Sequence, residues 1–254
     1  MSLRKHLVQA VQSGLRSRGL QLVRSAEDPC YQPTPPGTYP IYTPGLEPAF
    51  LRRFEPYSHH TLTTPERALV LERMLTQTLG LEGDVVEAGV FRGGTAWWMA
   101  DLLDRAGSGK TLHLFDSFEG MPADAVKDRD GHDPGDFGDT SLEAVQALLA
   151  HSDRVTFHPG FIPATLAPVS DRTYSFVHVD VDIHDAVRDC CSFFYERLVP
   201  GGVMLFDDYG FEVYRLAARK AVDDFFADKP ESVLVLRTGQ ALITRLPPTA
   251  SEPR

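Results

Sequence analysis

The chain reads as an α/β protein: a doubly wound, mostly parallel sheet with a C-terminal antiparallel hairpin and an N-terminal helical and loop extension. Three observations predict this. From position 84 onward, short apolar runs alternate with helical patterns, the order that builds parallel sheets. A glycine-bearing turn, Gly89 to Gly94, follows the first run, where such folds place a ligand crevice. Near the end, two apolar runs face each other across Thr238-Gly239-Gln240, a hairpin signal. The 254 residues suit one such domain plus an extension, and 43% hydrophobic residues suffice for a buried core.

The elements follow in order. Residues 1–19 are basic, with Leu3, Leu7, Val8, Val11 and Leu15 at helical spacing, so a surface helix or a contact between subunits of a homo-oligomer is expected. This stretch lacks the unbroken apolar centre of a signal peptide, and no run is long enough to span a membrane. Residues 28–48 are rich in proline and glycine, with Tyr31, Tyr39 and Tyr42 interleaved, and read as an ordered loop or lid. Thr64-Pro65-Glu66 starts a helix, with threonine as N-cap and proline at the first position. Strands are expected over 84–88, 111–115, 155–158, 174–179, 203–206, 233–237 and 241–244. Helices are expected over 95–103, 141–150, 185–198 (ended by Pro200-Gly201-Gly202) and 214–227. The tail beyond 246 is expected to fray.

Composition removes several function classes. A formal charge of −10 and the lack of a basic stripe argue against nucleic acid as a partner. Cys30, Cys190 and Cys191 are too few for a disulfide framework, and a reducing cytoplasm fits them. Serine-elbow, Walker-loop and zinc-ligand spacings are absent.

Chemistry concentrates at strand ends. Glu87-Ala88-Gly89-Val90-Phe91-Arg92-Gly93-Gly94 lets backbone approach a ligand, but it is not the dinucleotide fingerprint, because Phe91 and Arg92 fill its centre. A carboxylate at Glu87 would repel a pyrophosphate and suits a cationic amino-acid ligand. Asp116, at the end of the next strand, can accept both ribose hydroxyl protons of a nucleoside, or serve as a turn residue. Asp180-Val181-Asp182 and Asp207-Asp208 each end an apolar strand, and those strands are expected to be neighbours. Four acids would then share one edge of the crevice, with no Lys or Arg inside either motif. Such a set calls for a hard divalent cation, Mg²⁺ most simply, unless the acids are solvated loop and cap residues. If the strand continues, Asp180 and Asp182 face the same side, so one could bind metal while the other takes a proton. His184 competes for the base role, or is a helix-start residue near the surface.

The Glu87–Gly94 motif, with Phe115-Asp116-Ser117-Phe118-Glu119-Gly120-Met121-Pro122, His178-Val179-Asp180-Val181-Asp182 and Pro200-Gly201-Gly202-Val203-Met204-Leu205-Phe206-Asp207-Asp208-Tyr209-Gly210, gives the chain its resemblance to a known family. Over residues 61–245 it resembles the macrocin O-methyltransferases, which methylate sugars in macrolide and aminocoumarin antibiotic pathways. The resemblance implies a class I methyltransferase fold with a seven-stranded sheet. It implies S-adenosylmethionine near Glu87, Gly89, Gly93 and Asp116, with Ser117 beside the adenosine and Thr61 in a segment covering the methionine part. It carries the metal ligands to Asp180, Asp207 and Asp208, and the base role to Asp182. His184 departs from the family, many members of which have tyrosine there. The expected organisation is an N-terminal helix and proline-rich cap or lid over 1–60, of which the segment 28–48 has no counterpart in the resemblance, a methyltransferase domain over 61–246 and a flexible tail over 247–254.

The expected reaction is in-line attack of a hydroxyl oxygen, on a small-molecule glycoside, at the sulfonium methyl. Mg²⁺ would lower the hydroxyl pKa, and a carboxylate would receive the proton. A catechol-type phenolic O-methyltransferase is the nearest alternative, sharing the metal logic. A nicotinamide oxidoreductase or a scaffold that has lost turnover leaves more unexplained: the first by Glu87 and Phe91, the second by the intact acids.

Overall fold

Runs such as Val85-Val86 and Phe176-Val177 favour extended backbone and burial on both faces, the needs of a central parallel strand. The computed structural model describes residues 41–248, with 31–32 and positions 11 and 15. It divides into two units, Met1–Arg52 and Arg53–Arg254. The expected N-terminal helix, most of the proline-rich segment and the last six residues lie outside the described residues. In the first unit, β1 (Tyr31–Gln32) pairs antiparallel with β2 (Ile41–Tyr42), and a 3-10 turn spans Pro44–Leu46. Helix α1 (Pro48–Ser58) follows, its residues from Arg53 onward belonging to the second unit.

The second unit holds the seven-stranded sheet. Its strands are β3 (Asp84–Ala88), β4 (Leu112–Asp116), β5 (Val155–Pro159), β6 (Tyr174–Val179), β7 (Leu198–Phe206), β8 (Leu234–Val235) and β9 (Ala241–Thr244). Their spatial order is β5-β4-β3-β6-β7-β9-β8. Only β9 is reversed, pairing antiparallel with both β7 and β8, so the expected hairpin forms at one end of the sheet. The helices are α2 (Pro65–Thr78), α3 (Gly94–Arg105), α4 (Leu142–Leu148), α5 (His184–Tyr195) and α6 (Ala218–Phe226). Thr64 caps α2 as expected, its hydroxyl accepting the Arg67 N–H. Trp98 is wholly buried against Phe54 and Tyr57, while Trp97 is not part of the fully buried set. Among the described residues, no helix is long and apolar enough to cross a membrane.

Two elements differ from expectation. Pro200-Gly201-Gly202 does not stop α5, which ends at Tyr195, but lies inside β7. Backbone bonds hold it in the sheet: Gly201 N–H donates to Arg245 O and Arg245 N–H to Gly202 O, both at 2.8 Å. Gly201 has φ +83°, and the register against β6 shifts between Tyr174 and Phe176, the signature of a bulge. The helix expected over 214–227 is split into a 3-10 turn at Glu212–Tyr214 and the shorter α6. Ala217, with ψ −103°, breaks the helical path between them.

Candidate active site

The carboxyl ends of β3, β4, β6 and β7 open into one cavity of about 500 Å³. This lies at the switch point of the sheet, where β3 is flanked by β4 on one side and β6 on the other. Thr61, Gly89, Asp116, Ser117, Asp180, Asp182 and Asp208 all line it. Glu87, Gly93, Asp207 and His184 do not.

Backbone geometry builds the first wall. Gly89 has φ +87°, and a Cβ there would fall 1.8 Å from the Asp180 carbonyl oxygen, so only glycine allows this turn against β6. The α3 N-terminus lies against the preceding segment: Gly94 N–H donates to His60 O at 3.0 Å. A Cβ at Gly94 would meet the His60 carbonyl carbon at 2.7 Å and Thr61 Cβ at 2.8 Å, which fixes Thr61 at the cavity. Asp116 holds the same turn together. Its Oδ2 accepts N–H from Val90 (2.7 Å) and Phe91 (3.1 Å), and its Oδ1 accepts from Phe118 (2.7 Å). It thus combines the turn role with a place on the cavity wall. Ser117 Oγ donates to Gly120 O at 2.9 Å, closing a tight turn. Behind the wall, Glu87 is wholly buried, with Oε1 3.1 Å from His178 Nδ1 and Oε2 without a hydrogen-bond partner. Burial pushes its carboxyl up to about 8.

The acids converge as the strand order requires. Val179 pairs with Phe206, and Asp207 N–H donates to Val179 O at 3.0 Å, so the two acidic motifs are neighbours. Carboxylate oxygens of Asp180, Asp182 and Asp208 lie within 4.8 Å of one another. Asp182 does not reach this group by strand alternation, because β6 ends at Val179 and Asp182 sits in a left-handed turn with φ +54°. Burial first, and then the charges of Asp182 and Asp180, hold the Asp208 carboxyl well above the usual range; burial also raises Asp180. Three oxygen donors crowded in a buried corner fit a hard divalent cation, which would relieve their repulsion. A second group, His178, Asp180 and Asp207, shares Asp180 with the first.

Sequence reasoning missed the residues that answer these acids from elsewhere. Arg67, on the first turn of α2, forms an ion pair with Asp207 and lies 3.7 Å from Asp208. Gln240 Nε2 donates to Asp207 Oδ1 at 2.7 Å, and His178 Nε2 lies 3.4 Å from the same oxygen. Tyr214, on the wall, feels the same cluster: burial and then the charges of Asp182 and Asp208 raise its phenol. Arg67, Gln240 and Tyr214 come from elements other than those that end in the acids, and His178, although two residues before Asp180, meets Asp207 only across neighbouring strands, so no local spacing marks these contacts. His184 opens α5, its N–H donating to Asp130 Oδ1 at 2.9 Å and its Nδ1 3.1 Å from Asp185 Oδ1, away from the cavity lining.

Comparison with known proteins agrees with this geometry. The model of the Macrocin-O-methyltransferase (TylF) family matches residues 53–231. The chain is similar to the 8-demethyl-8-(2,3-dimethoxy-alpha-L-rhamnosyl)-tetracenomycin-C 4'-O-methyltransferase of Streptomyces olivaceus, with 32% identity over 72% of this chain and 73% of that one. It is also similar to the mycinamicin III 3''-O-methyltransferase of Micromonospora griseorubida, with 29% identity over 65% and 70% of the two chains. Among solved structures, the O-methyltransferase NovP superposes with a TM-score of 0.66 at 24% identity, covering 74% of this chain and 83% of that one.

Proposed function

The chain belongs to the macrocin O-methyltransferase family, and from that premise we propose that it moves the methyl group of S-adenosylmethionine to a sugar hydroxyl of a glycosylated natural product, with Mg²⁺ held by Asp180 and Asp208; the expected third ligand, Asp207, is instead engaged by Arg67 and Gln240. The observation that carries this is one cavity lined both by the Gly89–Asp116 turn and by the acids Asp180, Asp182 and Asp208. Domain 61–246 would hold both substrates.

S-Adenosylmethionine supplies the electrophilic methyl, with Thr61, Gly89, Asp116 and Ser117 at its cavity wall and Glu87 and Gly93 behind it. A divalent cation at the acids supplies Lewis acidity toward a hydroxyl oxygen. Asp182 would take the hydroxyl proton, because it lines the cavity with a side chain 12% exposed, while the Asp207 side chain is fully buried and already engaged by Arg67 and Gln240. Val90, Phe115 and Ile183 wall the site with apolar surface, which excludes water and strengthens the charges inside. Proximity of donor and acceptor does the rest.

The cavity mouth supports an acceptor that carries an apolar body. Leu62, Phe161, Phe211 and Val213 line it with 66%, 43%, 37% and 61% exposure. Among the described residues its lining cations are already paired, Arg67 with Asp207 and Lys127 with Asp185, which leaves little for the diphosphate of a nucleotide sugar. Turnover on matched glycosides, nucleoside diphosphate sugars and catechols, with Mg²⁺ and then EDTA, tests this. Methylation of glycosides that stops with EDTA is expected. Turnover confined to catechols would transfer the enzyme to the phenolic class, and EDTA-resistant turnover would reduce the acids to structure.

A further inference from the structure

Residues 117–141, between β4 and α4, carry a histidine that the reaction above leaves unused. His132 does not line the cavity, yet its Nε2 lies 3.7 Å from Oδ1 of Asp182, which does. That nitrogen is buried and has no hydrogen-bond partner, and the side chain is only 8% exposed. We propose that His132 is a positioning residue: it holds one oxygen of Asp182 so that the other faces the acceptor hydroxyl, an inference that rests on the methyl-transfer reading of the cavity.

The ring is aimed from several sides. Its Nδ1 lies 3.2 Å from Asp136 Oδ2, and that oxygen is itself held by the Asp133 N–H at 3.0 Å. Tyr214 stacks on one face, with centroids 5.2 Å apart and planes 22° apart. Phe137 meets the ring edge-on at 5.3 Å. Asp182 sits in a left-handed turn outside any helix or strand, beside Asp180 and Asp208, so a donor behind one oxygen would add to the support of its carboxylate. An N–H directed at Oδ1 would fix the plane without touching substrate, the role that groups behind a reacting residue commonly play. Nearness to Asp182 raises the His132 pKa, consistent with a donor on that nitrogen.

The test uses the full chain with S-adenosylmethionine, Mg²⁺ and an accepted glycoside. His132→Phe keeps the stack on Tyr214 and removes the donor; His132→Gln keeps an N–H near the position of Nε2. The first should lower kcat about 10–100-fold, with KM for S-adenosylmethionine unchanged, and the second should restore most of it. In an Asp182→Asn background, His132→Phe should cost nothing more. Wild-type kcat in His132→Phe, equal loss in both variants, or a fully additive double variant would each overturn the proposal. Nitrogen NMR of the ligand-free protein separates this from the parent reading: the His132 Nε2 resonance should move on Asp182→Asn. An unmoved resonance overturns the proposal even where glycoside methylation succeeds; a moved one upholds the contact even where no glycoside is methylated.

Discussion

At the scale of single residues, the buried pair Glu87 and His178 makes stability respond to pH in two windows. Burial pushes Glu87 up to about 8 from 4.5, so between those values the folded chain holds a proton that the unfolded chain has released. Stability therefore falls as pH rises through that window and is level above it. Burial pushes His178 down to about 4 from 6.5, which makes stability rise with pH, but only below 6.5. Between 6.5 and 8 only the acid of this pair acts. Urea denaturation at pH 6.5 and 8 should show Glu87 contributing about 2 kcal/mol of the stability lost, so that Glu87→Gln loses less than the wild type by about that amount. Gly94→Ala should weaken S-adenosylmethionine binding about tenfold, or ~1.4 kcal/mol, in a calorimetric titration, because the new methyl strikes the backbone at His60. The acids of the site were legible in sequence because each ends an apolar strand. Arg67, His178 and Gln240 were not, because their partners lie on other elements and only the strand order brings them together.

At the scale of elements, the loop before α4 is pinned to the start of α5. Asp130 is wholly buried; its Oδ1 accepts the His184 N–H at 2.9 Å and its Oδ2 accepts the Lys127 N–H at 2.8 Å. Ile183 stands at the N-cap and offers no side-chain acceptor, so Asp130 caps α5 from a distance. Lys127 and Arg129 add ion pairs to Asp185 in the first turn of that helix. Asp130→Ala should cost about 1–2 kcal/mol and expose residues 122–140 to protease; a loop cut no faster than in the wild type would contradict the pinning. Local pattern revealed most elements, and the 174–179 strand has its expected limits. It misled where tertiary bonds intervened. Pro200-Gly201-Gly202 has the composition of a helix stop, yet its bonds to Arg245 keep it in β7. Helical periodicity continues through 214–217, but Tyr214 is turned toward the acid cluster and the helix begins later.

At the scale of the molecule, a cation that binds the acids of the folded chain should stabilise the whole domain. At a hundred times its Kd the gain is about 2.7 kcal/mol, which raises Tm by about 2–4 °C for each kcal/mol. A thermal scan with Mg²⁺ should show this shift, EDTA should reverse it, and Asp180→Asn should abolish it. The close contact of Gly89 with the Asp180 backbone has a further consequence. The Gly89 turn and the acid motif are parts of one rigid seam between β3 and β6, so under the proposed reaction the line along which the methyl travels is inherited with the sheet. The residues at the mouth belong to loops and a 3-10 turn and take no part in that seam. Diversification can therefore exchange the acceptor by redrawing the mouth while the reaction coordinate stays as it was, as in a tool with a permanent shaft and a replaceable head.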